Sequence, residues 1–155
     1  MPYFFAYGAR MNPGTMQNDT PGAVMIGPAR LDGYRLAFNV QSRSWGGGAA
    51  NAVPAIDGHL WGVLWEVGDA ELEALNSFRG DEQMQKVFEV EVQGPQGPAQ
   101  ATTFAVDSPE RFVAPSERYL AMLRAVAEQQ GLPEDALAQI DAAAAGGPSG
   151  PTPSI

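Results

Sequence analysis

Residues 3 to 11 read Tyr-Phe-Phe-Ala-Tyr-Gly-Ala-Arg-Met, an aromatic run that stops at a glycine and passes into small and basic residues. A buried strand looks like this when it delivers a backbone loop to a site. Gly8 lacks a Cβ, so the chain can turn sharply there and a ligand can approach the main-chain N–H closely. N–H groups that converge after a strand make a cradle for a carboxylate or an oxyanion. The plainer reading of the same stretch is a strand ended by a turn glycine. Other chemistry-bearing residues are sparse. With no cysteine in the chain, disulfides, thiol catalysis and thiolate metal sites are excluded. The single histidine, His59, stands beside Asp57-Gly58 and reads as a solvated turn residue. One histidine and scattered acids offer no metal-ligand spacing, so no metal and no cofactor is expected. Gly46-Gly47-Gly48 is neither a dinucleotide fingerprint nor a P-loop, because no Lys-Ser/Thr follows. The stretch from Ser42 to Pro54 reads instead as a loop packed closely against something, with Trp45 as its anchor.

Composition sets the frame for these residues. A chain of 155 residues suits one domain with a real core rather than two. No apolar run reaches the roughly 20 residues that span a bilayer, and the N-terminus lacks a basic, signal-like start, so the expected location is cytoplasmic, away from membranes. A net charge of −9 repels phosphate backbones and argues against nucleic acid as a partner. Oligomeric state is not legible.

The elements that must position the loop follow from patterning. Asn12 to Gly27, rich in Asn, Pro, Gly and Thr, reads as an irregular excursion. Tyr34, Leu36, Phe38 and Val40 alternate with polar or small residues as a half-buried strand, and Asp32-Gly33 before them predicts a hairpin. His59 to Val67 is almost continuously apolar, as a central strand would be. A helix follows with Asp69 as N-cap, a Leu72, Leu75, Phe78 stripe, Arg79 in the last turn and Gly80 as its stop. Lys86 to Val92 and Ala99 to Val106 read as two strands about a Gly-Pro turn. Ser116 caps a helix with Tyr119, Leu120, Leu123, Val126 and Ala127 on its buried face, Gly131 ends it, and a short helix runs from Pro133 to about Ala143. Residues 142–155 are Ala, Gly, Pro and Ser and predict a disordered tail after a domain of residues 1–141. The class is α+β, a single domain with a mixed, mostly antiparallel sheet that can curl into a barrel with flanking helices.

Several stretches, in this order, resemble the γ-glutamylcyclotransferase-like superfamily (AIG2-like and BtrG-like proteins). They are Tyr7-Gly8-Ala9-Arg10-Met11, Gly33-Tyr34-Arg35-Leu36-Ala37-Phe38-Asn39, Gly48 to Val53, Leu60-Trp61-Gly62-Val63, Pro115-Ser116-Glu117-Arg118-Tyr119-Leu120 and Gly131-Leu132-Pro133. The resemblance spans residues 3 to about 141 and implies a small mixed barrel around one polar cavity. It also implies an acyltransferase or lyase type of chemistry, in which the α-amine of a γ-glutamyl amide attacks its own γ-carbonyl and releases 5-oxoproline. That reaction needs a carboxylate to take a proton from the ammonium and N–H donors to hold the ligand carboxylate and the oxyanion. The donors correspond to Tyr7, Gly8, Ala9, Arg10 and Met11.

The position of the family's base glutamate is occupied here by Arg79, within Leu75-Asn76-Ser77-Phe78-Arg79-Gly80. A guanidinium is not deprotonated in a protein and cannot be that base. The cavity-lining Tyr-Arg pair of the family aligns with Gln85-Lys86, and the loop's Ser and Asn are Ala9 and Arg10. Three readings stay open. The cavity of a pseudoenzyme binds a small anionic, γ-glutamyl-type ligand, with Arg10 and Arg79 adding positive charge and Gln85 lining it. Alternatively a displaced acid, Glu82 or Asp81, keeps the transferase active, or the domain is a non-catalytic interaction module. The bland counterparts are an Arg79 that neutralises a helix C-terminus and a solvated acidic turn at 81–82.

Overall fold

The computed structural model of the chain describes residues 2–77, 85–106 and 111–146. Arg79, Asp81 and Glu82, with Phe78 and Gly80, lie outside the described residues, as does the tail from residue 147. The elements are β1 (Tyr3–Ala6), a 3-10 turn (Ala9–Met11), α1 (Pro13–Asp19), β2 (Val24–Ser42), β3 (Gly47–Glu66), α2 (Asp69–Ser77), β4 (Gln85–Gly94), β5 (Gly97–Val106), α3 (Glu117–Gln129) and α4 (Glu134–Ala144). The strands close into a barrel in the order β1-β3-β2-β4-β5. All neighbours are antiparallel except β1 and β5, which meet parallel at Phe4 and Thr102. This is the small mixed, mostly antiparallel barrel with flanking helices that the sequence predicts.

β3 sits between β1 and β2, as its apolar run predicts, and Phe5, Phe38, Leu60, Val63 and Trp65 are all at least 98 % buried. Each large apolar side chain so buried is worth about 1.5–3 kcal/mol. α3 adds its Tyr119, Leu123, Val126 and Ala127 face to this core, capped by Ser116, whose side chain accepts from the Tyr119 N–H. The expected stripe holds, with Leu120 only partly buried.

Five local expectations are corrected. Asp32-Gly33 is no hairpin turn: β2 runs straight through it, pairing with β3 from Val24↔Glu66 to Ser42↔Gly47, and the register slips between Asp32 and Tyr34. Gly33 has φ +88°, and across the ladder Asp57 has φ +62°, so turn-type chemistry on both strands makes a bulge instead. Asn12 to Gly27 contains α1 and the start of β2, because the Asn12 side chain accepts from the Gly14 N–H and Pro13 begins the helix. Ala49 to Pro54, expected in a loop, is strand. Asp69 is inside α2; the first helical bond runs from Leu72 N–H to the Gly68 carbonyl, and Glu71 reaches back to the Gly68 N–H at 3.0 Å. The last helix continues past residue 141, burying Ala143.

No helix among the described residues is long and apolar enough to cross a membrane. His59 is not simply solvated. Its Nε2 lies 2.5 Å from Asp135 Oδ2, which also accepts from Trp61 Nε1 at 2.9 Å, pinning α4 to β3. Those bonds, Trp61's first, hold the Asp135 carboxyl below its ordinary range. A depressed carboxyl stabilises the fold above its unfolded pKa of about 3.9 and loses that contribution as pH falls through the lower folded value. Asp135 is more than half exposed, so the contribution is at most about 1 kcal/mol. Thermal melts of wild type and Asp135→Asn should therefore differ at about pH 6 and converge well below about pH 4.

Candidate functional site

A cavity of about 250 Å³ opens at the end of β1, lined by the Phe4–Arg10 segment, Thr15 and Asp19 of α1, the β2–β3 turn, Ala49–Asn51, the end of β5 and Tyr119. The segment after β1 is thus a wall of the cavity. Tyr7 Oη donates to the Phe104 carbonyl at 2.5 Å, tying the loop to β5. Gly8 stands at the head of the 3-10 turn with no side-chain cap. Gly8 has φ −120°, so no left-handed conformation demands glycine there. A Cβ would stand 3.5 Å from Ala50 Cβ and Tyr119 Oη, ordinary contact distances to two cavity-lining residues.

Met11, a predicted ligand contact, turns into the core at 2 % exposure and does not line the cavity. The 3-10 turn that follows Gly8 rotates it away from its neighbours. Arg10 does line the cavity, but it brings no net positive charge. Its Nε donates to Asp19 Oδ2 at 3.0 Å, and its guanidinium carbon lies 5.8 Å from the Phe104 ring centre. Gln85 opens β4 opposite Val106, itself a cavity residue.

Sequence reasoning missed three groups, Asn51, Tyr119 and Thr103. Asn51 donates to Asn39 Oδ1 at 2.9 Å and to the Val106 carbonyl at 2.8 Å, and its Oδ1 accepts from the Val106 and Ala52 N–H groups at 2.9 and 3.0 Å. It joins β3 to the end of β5 across the barrel. A signal existed, since Asn39 and Asn51 are polar residues within otherwise apolar runs. Tyr119, expected only as core, accepts from the Ala50 N–H at 2.9 Å. Trp45 anchors as predicted, its ring 4.9 Å from that of Tyr119 and 4.8 Å from the Arg118 guanidinium carbon, and Arg118 donates to the Ser44 carbonyl. Thr103 donates to the Phe5 carbonyl at 2.9 Å. None of these residues is near the loop in sequence.

Among the described residues, no group of three or more His, Asp or Glu could hold a metal ion. Asp19 is the one carboxylate and Arg10 the one cation among the described residues lining the cavity. The arrangement offers a small polar molecule the loop after β1, aromatic faces and one ion pair.

Comparison with known proteins gives this cavity a context. The AIG2-like family matches residues 59–140, a little over half of the chain. The human protein named gamma-glutamylcyclotransferase is 28 % identical over 135 residues, covering 84 % of this chain and 72 % of that protein. Its mouse counterpart is 26 % identical over 137 residues, covering 85 % and 73 %. A solved structure named gamma-glutamyl cyclotransferase superposes with a TM-score of 0.82 at 24 % identity, over 99 % of this chain and 90 % of that one. A yeast gamma-glutamyl cyclotransferase described as specific to glutathione gives 0.64 at 12 % identity, over 93 % and 97 %. The chain belongs to the AIG2-like family, within the γ-glutamylcyclotransferase-like superfamily.

Proposed function

We propose that this γ-glutamylcyclotransferase-like protein uses the cavity behind Tyr7–Arg10 to bind a small, γ-glutamyl-type ligand without releasing 5-oxoproline from it. The carrying observation is the shortage of a base. Among the described residues the one carboxylate at the cavity is Asp19, engaged by Arg10, and the resemblance aligns Arg79 with the family's base position. Without a proton acceptor the substrate's ammonium has no lone pair with which to attack the γ-carbonyl. Loss of general-base assistance alone costs a factor of about 10² to 10⁴ in rate.

A second reading has its own support, since the human, bovine and mouse relatives are all named gamma-glutamylcyclotransferase. In it Glu82 or Asp81 takes the proton and the chain is an active enzyme. Both readings place the ligand in the same cavity, and both make it the protein's partner in a location without membranes or nucleic acid.

The shared part is tested by calorimetric titration with γ-glutamyl amino acids and γ-glutamylamines. Binding that Gly8→Ala weakens about tenfold is expected, because the new methyl lies against Ala50 and Tyr119 in space the ligand uses. The same substitution should change stability by less than about 1 kcal/mol, since its contacts are ordinary. Unchanged affinity in a folded Gly8→Ala protein, or no binding by wild type, counts against the cavity as the site.

A further inference from the structure

We propose that Trp45 is the specificity residue of the cavity, selecting ligands whose γ-amide nitrogen carries a flat apolar group over those that carry a cation there. The class selected is the γ-glutamyl amide of an aromatic amine. The inference rests on the reading that the cavity takes a γ-glutamyl-type ligand, and it names the part of that ligand on which selection acts.

Gly8, Tyr119 and Trp45 follow one another along one wall of the cavity. A Cβ on Gly8 would stand 3.5 Å from Tyr119 Oη, and the Tyr119 ring centre lies 4.9 Å from that of Trp45. A ligand whose head lies at the segment after β1 therefore passes Tyr119 and brings its other end to the indole. Both rings line the cavity, and Ala50, whose N–H donates to Tyr119 Oη, adds only a methyl side chain. A flat apolar substituent leaves water for this surface, and ring-to-ring contact adds to the gain from burial.

Charge sharpens the selection. The Arg118 guanidinium carbon lies 4.8 Å from the indole centre, yet Arg118 is exposed and does not line the cavity. It therefore covers the side of the ring turned away from the ligand. The indole's attraction for a cation is engaged from outside, and a second cation on the cavity side meets like charge across the ring. Asp19, the one carboxylate lining the cavity among the described residues, is bonded to Arg10 at the loop end and does not offset that repulsion.

The ring is also held ready. The Trp45 N–H donates to Ser42 Oγ at 3.3 Å and the Gly46 N–H to the Ser42 carbonyl at 3.0 Å, with Ser42 itself buried. Arg118 ties the same turn to α3 through the Ser44 carbonyl. A preformed wall costs a ligand little ordering, so its shape and charge can select.

The test is calorimetric titration with the γ-glutamyl amides of benzylamine, methylamine and 1,4-diaminobutane, with γ-glutamylalanine as reference. The three amides share one head group, so differences among them report the substituent. Wild type should bind the benzylamine amide about tenfold or more tighter than either of the others. Trp45→Ala should bring its preference over the methylamine amide to within about twofold, and Trp45→Phe should keep most of it. Arg118→Gln should narrow the gap between the benzylamine and diaminobutane amides by about threefold or more, a change that losing a structural tie alone would not produce. A wild type that binds the benzylamine and methylamine amides alike leaves the functional reading standing and overturns this proposal. A preference that survives Trp45→Ala, or a diaminobutane amide bound as tightly as the benzylamine amide, overturns it equally. If wild type binds γ-glutamylalanine but none of the amides, this proposal falls alone; if it binds none of the four, the functional reading falls with it. Should Trp45→Ala fail to fold, the wild-type ranking and Trp45→Phe still decide.

Discussion

Asn51→Ala is expected to destabilise the protein by about 2–4 kcal/mol and to abolish ligand binding at the cavity. Asn51 is 2 % exposed and takes part in four hydrogen bonds, two as donor and two as acceptor. Truncation leaves the Val106 N–H and carbonyl, the Ala52 N–H and Asn39 Oδ1 without that partner, and each buried polar group left unsatisfied costs about 1–3 kcal/mol. Val106 is only partly buried, so water recovers some of the loss. The damage should be local as well as global, because the clamp holds the end of β5 against β3 where the cavity opens. Urea unfolding of the variant against wild type measures the first effect. A loss of unfolding free energy smaller than about 0.5 kcal/mol would mean that the clamp is not a structural tie.

Gly48→Ala should be comparably severe, at about 3 kcal/mol or more. A Cβ on residue 48 would stand 1.8 Å from the Val113 carbonyl oxygen and 2.8 Å from its carbon. These are backbone atoms and cannot swing aside. The same approach carries a hydrogen bond from the Gly48 N–H to the Ala114 carbonyl at 2.8 Å, so relieving the clash also breaks a pairing. Residues 113–116 lead directly into α3, which holds Tyr119 over the cavity. The variant is therefore expected to melt well below wild type and, where still folded, to bind γ-glutamyl ligands poorly. Gly46→Ala makes a useful contrast. Gly46 has φ +72° but nothing within 4 Å of an added Cβ, so its cost is backbone strain of about 1–2 kcal/mol without displacement of α3.

What could be read in the sequence divides along the distance between partners. β4, β5, α3 and α4 were legible because their signals are local: alternation, a Gly-Pro turn, a serine cap, a stripe at helical spacing. The loop after β1 was legible for the same reason. The bulge at Gly33 and Asp57 was not, because Asp-Gly in isolation is turn chemistry, and only the ladder across from it decides that the strands continue. Asn12-Pro13 did carry a helix-start signal, submerged in a stretch rich in breakers. Of the cavity lining, Tyr7 to Arg10 could be singled out from the chain alone. Asp19 could not, since nothing in an Asn-Asp-Thr stretch announces that an arginine nine residues earlier will turn back to meet it. Asn51 and Tyr119 likewise acquire their roles from partners 55 and 69 residues away.

The central claim, that this cavity binds but does not cyclise, is tested most directly by release of 5-oxoproline from a panel of γ-glutamyl amino acids and γ-glutamylamines. Wild type, Arg79→Glu and Glu82→Gln would be compared at equal concentration. The account predicts a silent wild type and measurable release from Arg79→Glu, which puts a carboxylate where the resemblance aligns the family's base and recovers some of the factor of about 10² to 10⁴. Release by wild type that disappears in Glu82→Gln would contradict it, and would make this chain a working cyclotransferase with a displaced base.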